Sequence, residues 1–179
     1  ATYIHIDIDS QEIGRNYEAA VRLVGDARET LRALAEALEE CDLGKRRSQR
    51  ADLETRIAAA RRQHVADAAP MTRSDASPIR PERVMAELDR HLTPDTVVVA
   101  DASYSSIWIA NYLRTASAGA RFIPPRGLAG LGWGLPMAMG ARMARPGAPI
   151  YCLAGDGGFG HVWSELETAR RMGMTLTLM

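Results

Sequence analysis

A short apolar run that breaks on a cluster of glycines and then resumes with helical spacing can fold in few ways. Residues 149–154 (PIYCLA) are followed by 155–160 (GDGGFG) and then by 161–169 (HVWSELETA), an order that predicts strand, tight turn and helix. The first amides of a helix have no partner inside it and carry the positive end of its dipole, so such a junction favours a phosphate group. Glycines let the phosphate approach. Asp156 would repel it unless a cation lay between them, which points to a divalent metal joining carboxylate and diphosphate. Magnesium suits that place, because it takes oxygen ligands and shares them with phosphates. The same residues equally describe a glycine-rich turn in which Asp156 only caps the helix.

On these residues the chain resembles a known family. Gly155-Asp156-Gly157, the segment 165–169 (ELETA) and the closing run 175–179 (TLTLM) look like the metal and diphosphate motif of thiamine diphosphate enzymes, in particular the acetolactate synthase group. The resemblance implies that Gly155, Asp156, Gly157 and Gly158 hold the diphosphate of thiamine diphosphate, with Asp156 a ligand of Mg2+. The family's second metal ligand is an asparagine after the next strand. No asparagine follows Asn111, so that ligand is expected beyond Met179.

A second junction repeats the construction. Residues 96–100 (TVVVA) read as a buried strand, 101–106 (DASYSS) as a polar turn and 107–113 (IWIANYL) as a helix. Ligands of open parallel sheets bind outside the carboxyl ends of the strands, so the two turns can face one site. Read through the resemblance, Ile107-Trp108 stands where relatives have a Met-Trp pair, and Tyr104 and Ser105 become candidates for diphosphate contact. Synthases of the group more often carry Gln-His there, a departure that bears on the substrate. A serine-rich helix cap is the plain alternative.

Between these junctions, 121–123 (RFI) is a short strand and 124–136 (PPRGLAGLGWGLP) a glycine-rich turn into a helix over 135–144. Small residues Ala138, Gly140, Ala141 and Ala144 let a neighbour approach that helix. The resemblance gives this turn two roles. Leu131 is the aliphatic wedge that bends the cofactor, and the Ala129 carbonyl accepts a hydrogen bond from the cofactor's amino group. Taken without the resemblance, Leu131 reads as an ordinary core leucine.

The expected fold class is α/β: a parallel sheet flanked by helices, the thiamine diphosphate-binding fold, over 81–179 and truncated at its end. Its first helix opens at Pro81, with Val84, Met85, Leu88 and Leu92 facing inward. A partial α/β middle domain over 1–43 and a helical linker over 44–80 precede it. In the first segment, 3–8 and 21–24 read as strands, and Asp26 as the cap of a helix over 27–38 with Leu31, Leu34, Ala35 and Leu38 at helical spacing. It resembles the closing part of the family's middle domain, which in some relatives holds a flavin or nucleotide. No residue here is assigned to FAD, which would belong to a longer protein. Asp7 and Asp9 share one strand face and read as a solvated strand end. The segment 44–69, rich in Arg, Ala, Gln and Glu, reads as one helix with a thin apolar stripe at Leu53, Ile57 and Ala60. Residues 70–81, with three prolines, read as a loop at the domain boundary.

Composition removes several classes of function. Twenty-two basic residues balance 22 acidic ones, so no overall charge draws the chain to nucleic acid. No apolar run approaches the roughly 18 residues a membrane span needs. Two cysteines, Cys41 and Cys152, are too few for a disulfide framework and fit a reduced, cytoplasmic setting. The start lacks a methionine and a signal peptide, which points to a chain cut from something longer. The resemblance implies a portion of an enzyme that decarboxylates a 2-oxo acid and joins the product to a second carbonyl compound, working as a homodimer or homotetramer. Alone, this portion is expected to be inactive, since the family's activating glutamate comes from a domain before Ala1. Alternatives are simple decarboxylation or acyl transfer on the same cofactor, or a non-catalytic nucleotide- or phosphate-binding module.

Overall fold

The computed structural model describes residues 2–115 and 121–179, which divide into two compact units, 1–63 and 64–179. In the first unit, β1 (Ile4–Asp7) and β2 (Val21–Val24) pair in parallel with Ile4 opposite Val21. Helix α1 (Ala27–Glu39) follows, and the Asp26 side chain accepts the Glu29 N–H at 3.0 Å, the cap its position predicts. No residue of α1 is buried; Leu31, Leu34 and Leu38 stay exposed. Two strands have too little surface to cover them. Asp7 and Asp9 each accept a backbone N–H two residues on, so they shape the turn after β1.

The expected single helix over 44–69 is broken into α2 (Gly44–Ser48) and α3 (Arg50–Thr72). Ser48 Oγ donates to the Lys45 carbonyl at 2.9 Å, a side-chain bond that competes with helical continuation. At its other end α3 runs through Pro70 rather than stopping there. A proline in a last turn forfeits one N–H bond, and the Arg73 N–H still reaches the Ala69 carbonyl at 3.0 Å.

The second unit is built on a four-stranded, all-parallel sheet. After α4 (Pro81–Asp89) come β3 (Val97–Ala100), α5 (Tyr104–Tyr112), β4 (Arg121–Ile123), α6 (Gly134–Ala144), β5 (Ile150–Leu153), α7 (Asp156–Val162), α8 (Glu165–Arg171) and β6 (Thr177–Leu178). The strand order is β4-β3-β5-β6. Alternation along β3 feeds two cores. Val97 and Val99 pack with Ile150, Cys152, Ala138 and Ala141 on the α6 face, whereas Val98 and Ala100 pack with Met85, Leu88, Ile109 and Leu113 on the α4 and α5 face. A strand buried on both faces reads as a continuous apolar run, as VVVA does. Among the described residues no helix is long and apolar enough to cross a membrane.

Glu82, in the first turn of α4, is buried, and Arg80 donates to both its oxygens at 3.2 Å. That hydrogen bond, working against desolvation, holds the carboxyl below its ordinary value of 4.5. A folded value below the unfolded one means the contribution is complete above 4.5 and fades as pH falls through the depressed value. Arg80 is half exposed, so Glu82→Gln is expected to lower stability at pH 7 by no more than about 1 kcal/mol. It should also flatten part of the acid-side decline in urea unfolding as pH falls below 4.5. A decline of unchanged shape would contradict this.

The two free thiols differ. Cys41 is exposed and Cys152 buried, the latter pushed up to about 12 by burial and then by the negative charge of Asp101. The thiolate is the reactive form. A disulfide reagent at pH 8 is expected to modify Cys41 at once and Cys152 only after denaturation; two fast thiols would contradict the buried placement.

Candidate functional site

The sheet has a point where its connections diverge. The chain leaves β3 through α5 for β4 on one side, and leaves β5 through α7 and α8 for β6 on the other, while β3 and β5 lie side by side. Ligands of open α/β sheets bind in the crevice outside the carboxyl ends of two such strands. Asp101 stands at the end of β3 and Gly155 to Gly158 at the end of β5.

Asp101 is fully buried. Its Oδ1 accepts the Ala102 N–H at 2.6 Å, the Gly132 N–H reaches both oxygens at 3.1 Å, and the Gly134 N–H reaches Oδ2 at 3.3 Å. Among the described residues it has no ion-pair partner, so backbone amides alone satisfy a buried carboxylate, as burial requires. On its other side lies α7. A Cβ on Gly158 would stand 2.5 Å from Asp101 Oδ2. One side chain therefore touches the end of β3, the glycine-rich turn and the first turn of α7. Sequence reasoning placed Asp101 only as the opening of a polar turn. The signal was there in part: a lone carboxylate directly after four buried apolar residues.

Backbone strain gathers on the same edge. Ser103, just before α5, has φ 66° and ψ −141°, and Ala129 has φ 49°. Such conformations cost non-glycine residues about 1–3 kcal/mol each and persist where the surroundings impose them. Gly132, at φ 88°, carries the left-handed turn without that penalty.

The helix after β5 begins at Asp156, not at His161 as its sequence predicts. Gly155 is the N-cap and no side chain caps the first turn, so Asp156 does not act as the cap. Glycines 157, 158 and 160 make α7 a weak helix, and it ends at Val162. The chain then tightens to i→i+3 bonds, Leu166 N–H to Trp163 and Glu167 N–H to Ser164, before α8. Asp156 is exposed and, among the described residues, its carboxylate has no hydrogen-bond or ion-pair partner. Space is open where a Cβ would stand on Gly155 or Gly157. That cradle and its free carboxylate suit a phosphate and a hard cation sharing oxygen ligands. Among the described residues no group of three or more His, Cys, Asp or Glu side chains could enclose a metal.

Tyr104 and Ser105 belong to the first turn of α5, not to the turn before it. Tyr104 is exposed, its ring 5.5 Å from that of Trp108. Ser105 is buried, and with Leu153, Ala154 and Gly155 it lines a cavity of about 240 Å³ on the carboxyl edge of the sheet. The fold thus brings Ser105 to the glycine segment. Leu131 is 53% exposed, which sets aside its reading as a core leucine. Its neighbour Gly132 abuts α7: a Cβ there would meet His161 Cβ and Val162 Cγ1 at 3.1 Å. The turn holding Ala129 and Leu131 and the helix opening at Asp156 are therefore packed together.

Known proteins resemble this chain along the same residues. Residues 101–179 match the sequence model "Thiamine pyrophosphate enzyme, C-terminal TPP binding domain", and residues 1–34 match "Thiamine pyrophosphate enzyme, central domain". A probable acetolactate synthase large subunit of Methanocaldococcus jannaschii is 35% identical over 94% of this chain and 28% of its own length. One from Methanococcus aeolicus is 31% identical over 94% of this chain and 29% of its own. The acetolactate synthase isozyme 2 large subunit of Escherichia coli is 32% identical over the whole of this chain and 30% of its own length. The chain thus spans less than a third of the relatives it matches. With Asp101, Leu131 and Gly155 to Gly158 all inside the matched cofactor-binding domain, the chain belongs to the family of thiamine diphosphate-dependent enzymes, with acetolactate synthase large subunits among its relatives.

Proposed function

We propose that the protein containing this chain is a thiamine diphosphate- and magnesium-dependent enzyme that decarboxylates a 2-oxo acid and ligates the product to a second carbonyl compound. The observation that carries it is the meeting of three segments at the sheet's switch point: the end of β3, the Leu131 turn and the open glycines after β5. The acetolactate synthases among the relatives support the ligation half.

Each residue has a role in this reading. The amides of Gly155, Gly157 and Gly158 seat the diphosphate, and Asp156 holds the magnesium that offsets its charge. Ser105 lines the same edge, with Tyr104 beside it on α5. The Ala129 carbonyl, on a backbone held at positive φ, orients the cofactor's amino group. Leu131, exposed on the turn packed against α7, would support the cofactor's rings. When bound, thiamine diphosphate supplies the nucleophilic carbon and the electron sink for decarboxylation. This chain binds, bends and orients. Residues 81–179 form the diphosphate-binding domain in this scheme, and 1–43 the close of a middle domain. A homodimer or homotetramer in a reduced, cytoplasmic setting accompanies the proposal, in keeping with two free thiols.

The test is turnover by the full-length protein with pyruvate, thiamine diphosphate and Mg2+. Carbon dioxide release with a ligated 2-hydroxy-3-oxo acid is expected. Release with aldehyde alone would replace ligation by simple decarboxylation. No release, together with tighter calorimetric binding of a mononucleotide than of thiamine diphosphate, would overturn the assignment.

A further inference from the structure

We propose that Asp101 is a positioning residue: its buried carboxylate sets where Leu131 stands relative to the glycines after β5, so that both ends of one thiamine diphosphate molecule are held at once. The proposal rests on the cofactor reading above and names the group that makes it work. Asp101 holds the amides of Gly132 and Gly134, the turn immediately after Leu131. Its other side lies against Gly158, with no room for even a methyl group between them. Two residues before Leu131, Ala129 is held at φ 49°, a conformation a non-glycine residue does not take by its own preference. The amide-to-carboxylate bonds supply the restraint. Asp101 accepts from Ala102, Gly132 and Gly134 and from none of the amides of Gly155, Gly157 or Gly158, so a displacement of its carboxylate moves the ring support relative to the diphosphate seat without removing a donor from that seat.

That separation supplies the experiment. Calorimetric titration of the full-length protein with Mg2+ compares thiamine diphosphate, which needs both the seat and the ring support, with inorganic diphosphate, which needs only the seat. Asp101→Asn keeps the volume but turns one acceptor into a donor facing the loop amides. It is expected to weaken thiamine diphosphate about tenfold or more while leaving inorganic diphosphate within about twofold. Leu131→Ala should show the same selectivity. If Asp101→Asn fails to fold, Gly134→Ala decides the matter. Its Cβ would stand 3.1 Å from Asp101 Cβ and 3.2 Å from Asp101 N, pushing the turn off an unaltered carboxylate. Selective loss of thiamine diphosphate supports the proposal. Equal loss of both ligands, or no loss, overturns it and leaves the cofactor reading standing. A wild-type protein that binds neither ligand overturns the cofactor reading and this inference with it.

Discussion

Gly158→Ala is expected to destabilise the fold by about 1–3 kcal/mol, measured by denaturant unfolding. The added Cβ would lie 2.5 Å from Asp101 Oδ2 and 2.8 Å from its Cγ, and the obstacle is not a flexible tip. Asp101 is fully buried, and its oxygens are tied to the amides of Ala102, Gly132 and Gly134. Two responses exist. Either α7 shifts away from the sheet edge, an overpacking strain of about 1–3 kcal/mol, or Asp101 rotates and leaves buried amides and a carboxylate unpaired, at about 1–3 kcal/mol for each unsatisfied group. Gly157→Ala, one residue earlier, is the control. Nothing lies within 4 Å of a Cβ there, so stability should stay the same or rise by up to about 1 kcal/mol from better helix propensity. Equal effects at the two positions would contradict the packing described.

Asp156→Ala is expected to weaken magnesium-dependent binding of thiamine diphosphate to the full-length protein about 100-fold. Stability should change by less than about 0.5 kcal/mol, as for other surface substitutions that remove no contact. The asymmetry follows from where the side chain stands. It is exposed at the first position of α7 and has no partner among the described residues, so its loss removes only what it would hold. Titrations with and without Mg2+ measure the effect. Affinity that is unchanged, or lost equally without the metal, would remove the carboxylate–metal–diphosphate bridge.

The strands of the second unit were legible because each is a short apolar run bounded by turn residues, and a doubly buried strand such as VVVA needs no long-range information to be read. The α1 cap was legible for a similar reason, since Asp26 and the Glu29 amide are three residues apart. Helix boundaries were less so. Glycines 157, 158 and 160 read as a turn, yet the chain is already helical at Asp156, because packing against Asp101 and the Leu131 turn outweighs glycine's weak propensity. Pro70 read as a stop, although a last turn tolerates it.

The residue types and their order, GDGG after one strand and a glycine-rich turn after another, determined by themselves a parallel α/β sheet and the family to which it belongs. Only the tertiary structure decided which groups meet. Asp101 finds the amides of Gly132 and Gly134 across 31 and 33 residues of chain, and Ser105 comes to share a cavity with Gly155. Local spacing carries no trace of such partners. A crossover sheet brings distant strand ends to one edge, and a buried carboxylate must then take whatever donors that edge presents.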